Sequence, residues 1–348
     1  MTGEKSDSEL RRTFGQLGFI AFSEPMLGVL RQAGKAACLS DITVLLEGET
    51  GTGKQVLANA IHRLDQKRRS HPFVTLHCST INEALAESEL FGHERGAFSG
   101  AETHRKGLFQ AAQNGTLLLD DINDLSLYLQ AKLLDVLQRS VVRAVGSDCE
   151  APIDVRIIAA SNRPLVEMVR QNRFRADLYY RLNVVHLTLP PLRDRLPDLE
   201  ALILEFAQRH REVYPGILAV EPELSAYLAS YQFEGNVREL EHCVQRMLFR
   251  KTEGASLGLE DWMAQYQTSH YEASRDLVRE AAQALWRAVA RDGIPFSLVL
   301  RLAEKHLLEL ALSASPRSRR ELAQRLKTSE RTLYRRLQSH GLIPRLTA

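Results

Sequence analysis

GETGTGKQ, residues Gly48 to Gln55, sets three glycines ahead of and around a lysine. That spacing suits a phosphate. Glycines let backbone N–H groups close around an anion at a helix start, and Lys54 neutralises the outer phosphates. Gly48, Glu49, Thr50, Gly51, Thr52, Gly53, Lys54 and Gln55 are therefore the candidate phosphate contacts, against the alternative of an ordinary strand-to-helix turn. Ser or Thr usually follows the lysine to meet magnesium, and Gln55 stands there instead.

GTLLLDD carries the next chemistry. Its three leucines predict a buried strand, with Asp120 at the end to hold hydrated Mg2+ and Asp121 placed to orient or deprotonate an attacking water. Two carboxylates capping the next helix are the competing reading. VRIIAASN predicts another strand, ending on Ser161 and Asn162. These polar groups suit the γ-phosphate or the water, or form a simple turn. A third stretch, ELFGHERGAFSGAETHRKG, puts Phe98 on a loop between Gly96 and Gly100. Taken alone, it is a surface turn whose Phe folds back onto the body.

These residues need a frame, and the hydrophobic pattern supplies one. DITVLLEG, PFVTLHC, GTLLLDD, VRIIAAS and NVVHLTL are short apolar runs separated by helical patterns such as KQVLANAIHRL and LYLQAKLLDVLQR. That alternation predicts an α/β fold with a mainly parallel sheet covered on both faces. Past PPLRDR the strands stop, and residues 197 to 252 read as helices only, a lid on the α/β core. The domain boundaries follow: 1–18 a short extension, 19–192 the core, 193–252 the lid, 253–298 a helical segment of no assigned role, and 299–348 a C-terminal helical domain.

Composition sets the class. At 44% hydrophobic and 25% charged residues, the 348-residue chain is globular. It has no apolar run of membrane-spanning length and no secretory signal, which predicts a cytoplasmic protein. Cys38, Cys78, Cys149 and Cys243 are scattered, so reduced thiols are expected and no zinc site. Net charge is +2, yet residues 316–348 hold nine Lys or Arg and two acidic residues. Such a basic tail implies an acidic partner, most simply nucleic acid.

Within that tail, RRELAQRLKTSERTLYRRLQSHGL has the layout of a helix-turn-helix. Leu322, Ala323 and Leu326 face Leu333 and Leu337, and Thr328 or Ser329 caps the second helix. Arg331, Thr332, Tyr334, Arg335 and Arg336 then supply the candidate DNA contacts. LRLAEKHLLELAL offers an apolar dimer surface, which predicts binding to an inverted repeat. A basic hairpin used for dimerisation alone is the other reading.

Six motifs in order, GETGTGK, ELFGHERGAFSGA, LLLDDI, FRADLYYRL, LPPLRDR and GNVREL, resemble those of the bacterial enhancer-binding proteins. These are the AAA+ ATPases that activate the sigma-54 form of RNA polymerase. The likeness runs from about residue 19 to 250, with a Fis-like segment at the C-terminus. It implies an AAA+ P-loop core, an all-α lid and ATP with Mg2+ as cofactors. Gly96, Ala97, Phe98, Ser99, Gly100 and Ala101 would form the loop that touches sigma-54, with Ser99 where Thr is usual. Arg175 and Arg181 would reach a neighbouring subunit's γ-phosphate, or form salt bridges on a helix face. Arg238 would sense nucleotide in cis. Partners implied are the sigma-54 holoenzyme, double-stranded enhancer DNA and further copies of the chain, from dimer to hexameric ring, or a related subunit.

The chain departs from the family at two catalytic positions. Asp121 replaces the usual Glu, and His77 stands where the family carries an Asn that contacts it. The expectation is that the longer His77 reaches the shorter Asp121. Phe233 and Glu234 replace the usual Trp-Pro, and Lys327 stands where the helix-turn-helix generally has Gly. Only about eighteen residues precede the ATPase core, too few for a receiver or ligand-sensing domain. Control is therefore expected from a separate protein, from expression level or from residues 253–298, with a protein acting in trans favoured.

Overall fold

A computed structural model describes residues 6–80, 83–98, 101, 103–264, 269–314, 321–323, 326, 328 and 330–343. The chain divides into two compact units, 1–198 with 235–239, and 199–234 with 240–348.

The first unit is built on a five-stranded parallel sheet. Its order is Phe73–His77, Thr116–Asp120, Arg156–Ser161, Val44–Glu47, Val185–Thr188. All five expected strands are present. Their side chains alternate between two cores, as the pleat requires. Leu117, Leu119, Ile157 and Ala159 belong to one cluster, and Leu118, Ile158 and Ala160 to the other. Helices cover both faces: Leu127–Arg139 contributes Leu129 and Leu133 to the first cluster, and Lys54–Leu64 contributes Leu57 and Ile61 to the second. Full burial of each such side chain contributes about 1.5–3 kcal/mol.

The two ends of the sheet's strands differ. At the start of its strand Arg156 is fully buried and donates from Nη1 to Asp65 Oδ2 at 2.6 Å, while Ser40 Oγ donates to Oδ1 of the same carboxylate at 2.6 Å. This end is locked by ion pairing. The opposite end carries Glu47, His77, Asp120 and Ser161, the place where parallel sheets hold ligands.

The second unit corrects one expectation. Strands do not stop after residue 197: Ala219–Val220 pairs in parallel with Ser256–Leu257, beside the helices Leu199–Arg209 and Pro222–Ser230. Two-residue strands carry no periodicity for a sequence to display. The helix Leu259–Ala264 brings in Trp262, fully buried, with its ring 5.9 Å from Tyr227 and 5.2 Å from Tyr231. Part of the segment that lacked a role is thus core material of this unit. Helices Ser269–Asp292, Phe296–Ala314 and Glu330–Ser339 follow. Among the described residues no helix is long and apolar enough to cross a membrane.

Candidate functional site

The phosphate loop links the strand Val44–Glu47 to the helix Lys54–Leu64. Gly51 at φ +80° and Gly53 at φ +104° adopt left-handed backbone that only glycine takes without strain. Space is also closed at Gly51, where a Cβ would stand 2.1 Å from the Gly235 carbonyl oxygen. The ring of Phe19 covers Gly53, 3.4 Å from where its Cβ would be.

A loop that offers N–H groups to a phosphate turns its carbonyls the other way, and each then needs a donor. Gly48 O accepts from Lys54 Nζ at 2.7 Å and Glu49 O from Thr52 Oγ1 at 2.8 Å. Thr50 O accepts from Asn236 Nδ2 at 3.0 Å, and Gly51 O from the N–H groups of Val237 at 3.0 Å and Arg238 at 3.3 Å. Thr52 O takes Nη2 of the buried Arg195 at 2.9 Å. The Glu49 carboxylate turns toward Arg193, at 2.5 and 2.9 Å, and Asn236 Nδ2, at 3.1 Å. Arg193 beside it, and then Asn236, hold this carboxyl below its usual range. Gln55 is exposed on the first turn of the helix.

Lys54 is buried, and burial lowers its pKa, opposed by the charges of Asp120 and Asp121 and reinforced by that of Arg238. Those four groups therefore feel one another. Burial and the neighbouring Asp121 push the Asp120 carboxyl up, against His77 and Lys54. Two carboxylates crowded at a strand end make a hard oxygen donor set that suits Mg2+, and a dication would relieve their repulsion. Asp120 could hold it.

Asp121 begins the turn after the strand at φ +52°, and its Oδ1 accepts from Asn162 Nδ2 at 2.9 Å. Two expectations need correction here. His77 reaches Asp120, not Asp121: its Nδ1 lies 3.3 Å from Asp120 Oδ2, because the two residues are register partners on adjacent parallel strands. Ser161 is fully buried with its hydroxyl donating to Arg163 O at 2.6 Å and lying 3.0 Å from Asn123 Oδ1. It braces the strand end, while Asn162 turns to Asp121.

Arg175 and Arg181 are exposed at the start and in the last turn of Ala176–Leu182. Arg175 is bound to Asp177, Nη2 to Oδ2 at 2.7 Å, and Arg181 donates from Nη2 to Leu137 O at 2.7 Å. On the loop, Gly96 takes φ +84° and its N–H donates to Ala101 O at 2.8 Å. Phe98 is 37% exposed, with its ring edge-on to His93 at 5.1 Å between centroids. Ala97 packs against Gly146, and Ala101 is buried. Ser99 and Gly100 lie outside the described residues.

In the second unit, Leu322, Ala323, Leu333 and Leu337 are buried together with Leu308 from Phe296–Ala314. The expected core partner Leu326 is 42% exposed and stays out of this cluster, which Leu308 joins from another helix. Arg331 and Arg335 are exposed one helical turn apart on Glu330–Ser339, with Thr332 and Tyr334 half-buried. Arg336 turns to Glu304 at 3.7 Å. Lys327 and Ser329 lie outside the described residues.

A parallel sheet bearing a glycine-lysine phosphate loop, paired aspartates and a polar strand end is the core of an AAA+ ATPase. A sigma-54 interaction domain matches residues 19–188, and an AAA+ ATPase lid domain matches residues 193–277. Regulatory protein AtoC of Escherichia coli strain K12 is 38% identical over 334 residues, covering 95% of this chain and 70% of that protein. The chain belongs to this family of sigma-54 regulators. A Nif-specific regulatory protein of Bradyrhizobium diazoefficiens is 48% identical over 222 residues, but the match covers 64% of this chain and only 38% of that relative. The crystal structure of NtrX from Brucella abortus in complex with ADP is similar at TM-score 0.64 and 27% identity, covering 96% of this chain and 71% of that one.

Phe19, Arg193, Arg195 and Asn236 are the site residues that sequence reasoning missed. Arg193, Arg195 and Asn236 sit inside quoted motifs and Phe19 lies in none of them, but the partner of each is the phosphate loop, far away in the chain. No local spacing signals such a contact.

Proposed function

We propose that this chain is a sigma-54-dependent transcription activator that binds enhancer DNA, assembles into a ring and uses ATP hydrolysis to remodel the sigma-54 RNA polymerase holoenzyme. The observation that carries the ATPase part is the Asn162–Asp121 contact at 2.9 Å beside Asp120, within the field of Lys54. Asn162 fixes the carboxylate that orients the attacking water. Asp120 would hold Mg2+, which would supply positive charge for the phosphates. Lys54 and the N–H groups of residues 48–54 bind the phosphates, and Arg238 reads them in cis. Arg181 and Arg175 act on a neighbouring subunit's nucleotide, with Arg175 first leaving Asp177. Residues 96–101 contact sigma-54. Phe98, parked on His93, provides the apolar grip.

The second unit binds DNA through Arg331 and Arg335, with Thr332, Tyr334 and Arg336 at the margin of that face. The exposed leucines of Phe296–Ala314, Leu300, Leu307 and Leu310 among them, pair two copies on an inverted repeat.

One observation favours a second reading, a DNA-binding regulator with weak turnover. His77 contacts Asp120, so nothing extends the reach of the shorter Asp121. Transcription in vitro from a sigma-54 promoter on supercoiled DNA separates the two. The activator reading predicts ATP-dependent transcripts that Phe98→Ala removes. Transcripts that form without ATP hydrolysis, or none with wild type, would favour the regulator.

A further inference from the structure

GNVREL contains an asparagine that the ATPase reading leaves without work. Asn236 is fully buried at φ +53°, left-handed backbone that Asn tolerates better than most residues. It stands first in the helix Asn236–Arg250, yet it does not cap that helix in the usual way, by accepting from the N–H groups that follow. Its Oδ1 accepts instead from the N–H of Leu192 at 2.8 Å. Its Nδ2 donates to Thr50 O at 3.0 Å and to Glu49 Oε2 at 3.1 Å. The N–H groups of Val237 and Arg238, which a cap would satisfy, both point at Gly51 O. Three successive residues of the phosphate loop, 49 to 51, are thus held by three successive residues, 236 to 238.

The chemistry of the side chain explains why it is Asn. The position needs one acceptor for Leu192 and a neutral donor shared between a carbonyl and a carboxylate. An Asp in its place could not donate to Thr50 and would set a second negative charge against Glu49. A Gly would keep the backbone and remove every side-chain hydrogen bond. Arg238 lies two residues on and its backbone N–H donates to Gly51 O at 3.3 Å, so what fixes Asn236 also fixes where the Arg238 side chain leaves the backbone beside the loop.

We propose that Asn236 is a positioning residue of the ATPase: it turns the carbonyls of Thr50 and Gly51 away from the phosphate and sets Arg238 toward the same phosphate. This deepens the ATPase reading and rests on it. Asn236 touches no substrate. It acts through the loop on binding and through Arg238 on turnover.

The test compares wild type with Asn236→Asp, Asn236→Ala, Arg238→Ala and the pairs Asn236→Asp with Glu49→Gln and Asn236→Ala with Arg238→Ala. ATP affinity is read with a fluorescent ATP analogue, turnover as kcat and KM, and folding by thermal melting. Loss of the donor that Thr50 O and Glu49 Oε2 share, with a new negative charge set against Glu49, predicts an ATP Kd about tenfold weaker or more in Asn236→Asp, with kcat also reduced. Adding Glu49→Gln recovers part of the affinity, since the new amide donates to the new carboxylate. In the Asn236→Ala background, Arg238→Ala lowers kcat much less than it does in wild type. Kd and kcat within twofold of wild type in both Asn236 variants, or losses that multiply independently with Arg238→Ala while the melting temperature falls, would overturn the proposal. A wild type that binds ATP without hydrolysing it overturns the ATPase reading alone, and Kd then decides Asn236. A wild type that does not bind ATP overturns both.

Discussion

Nδ1 of His77 lies 3.3 Å from Oδ2 of Asp120. Parallel register makes this contact, since the two residues are aligned across adjacent strands, while Asp121 has already left the strand for a left-handed turn. The two departures in the catalytic apparatus therefore bear on different carboxylates: His77 on Asp120, proposed above to hold Mg2+, and the other on Asp121 itself, proposed to orient the water.

Asp121→Glu is accordingly expected to raise kcat on its own. A carboxylate about 1 Å from its best position can lose about 100-fold in rate, so the gain has that ceiling. His77→Ala should instead raise the Mg2+ concentration needed for half-maximal rate, and the gain from Asp121→Glu should survive it. Steady-state ATPase assays across a Mg2+ series check both.

Arg181→Ala should leave ATP affinity within twofold and lower turnover about 1,000-fold, the effect of losing an arginine supplied to a neighbour's γ-phosphate. Its guanidinium is held by a single carbonyl, Leu137 O, whereas Arg175 is bound to a carboxylate. Arg175→Ala should therefore show the smaller loss. Kd by titration and kcat by phosphate release, measured on the same preparations, separate the two effects.

Stability should depend heavily on the locked end of the sheet. Asp65 and Arg156 are both fully buried at 2.6 Å, so Asp65→Ala leaves an uncompensated cation and should cost about 3–5 kcal/mol. Urea denaturation of the variant against wild type reads this directly.

DNA binding should weaken steeply with salt. Removing Arg331 and Arg335 together should reduce the slope of log K against log salt by about 2, one for each arginine that neutralises a phosphate. Arg336→Ala should change it less, because Glu304 already faces that side chain. Fluorescence anisotropy with an inverted-repeat duplex at several salt concentrations measures the slopes.

The sheet was legible because each strand is a short apolar run bounded by turn residues, and the loop and both aspartates because their chemistry demands fixed types at fixed places. Ala219–Val220 and Ser256–Leu257 were not, being too short to show a period. Leu326 was assigned to the core by helical spacing alone, which cannot see Leu308 arriving from another helix. Asn236 and Arg195 stayed hidden for a related reason. Sequence motifs report the face of a loop that meets the ligand, and these side chains hold its other face.

The central claim is a self-assembling ATPase, and the most direct test is the specific rate of ATP hydrolysis against protein concentration, with Asp121→Ala alongside. The account predicts a specific rate that rises cooperatively with concentration and disappears in the variant. Tight ATP binding with negligible turnover at every concentration, or a specific rate independent of concentration, would contradict it.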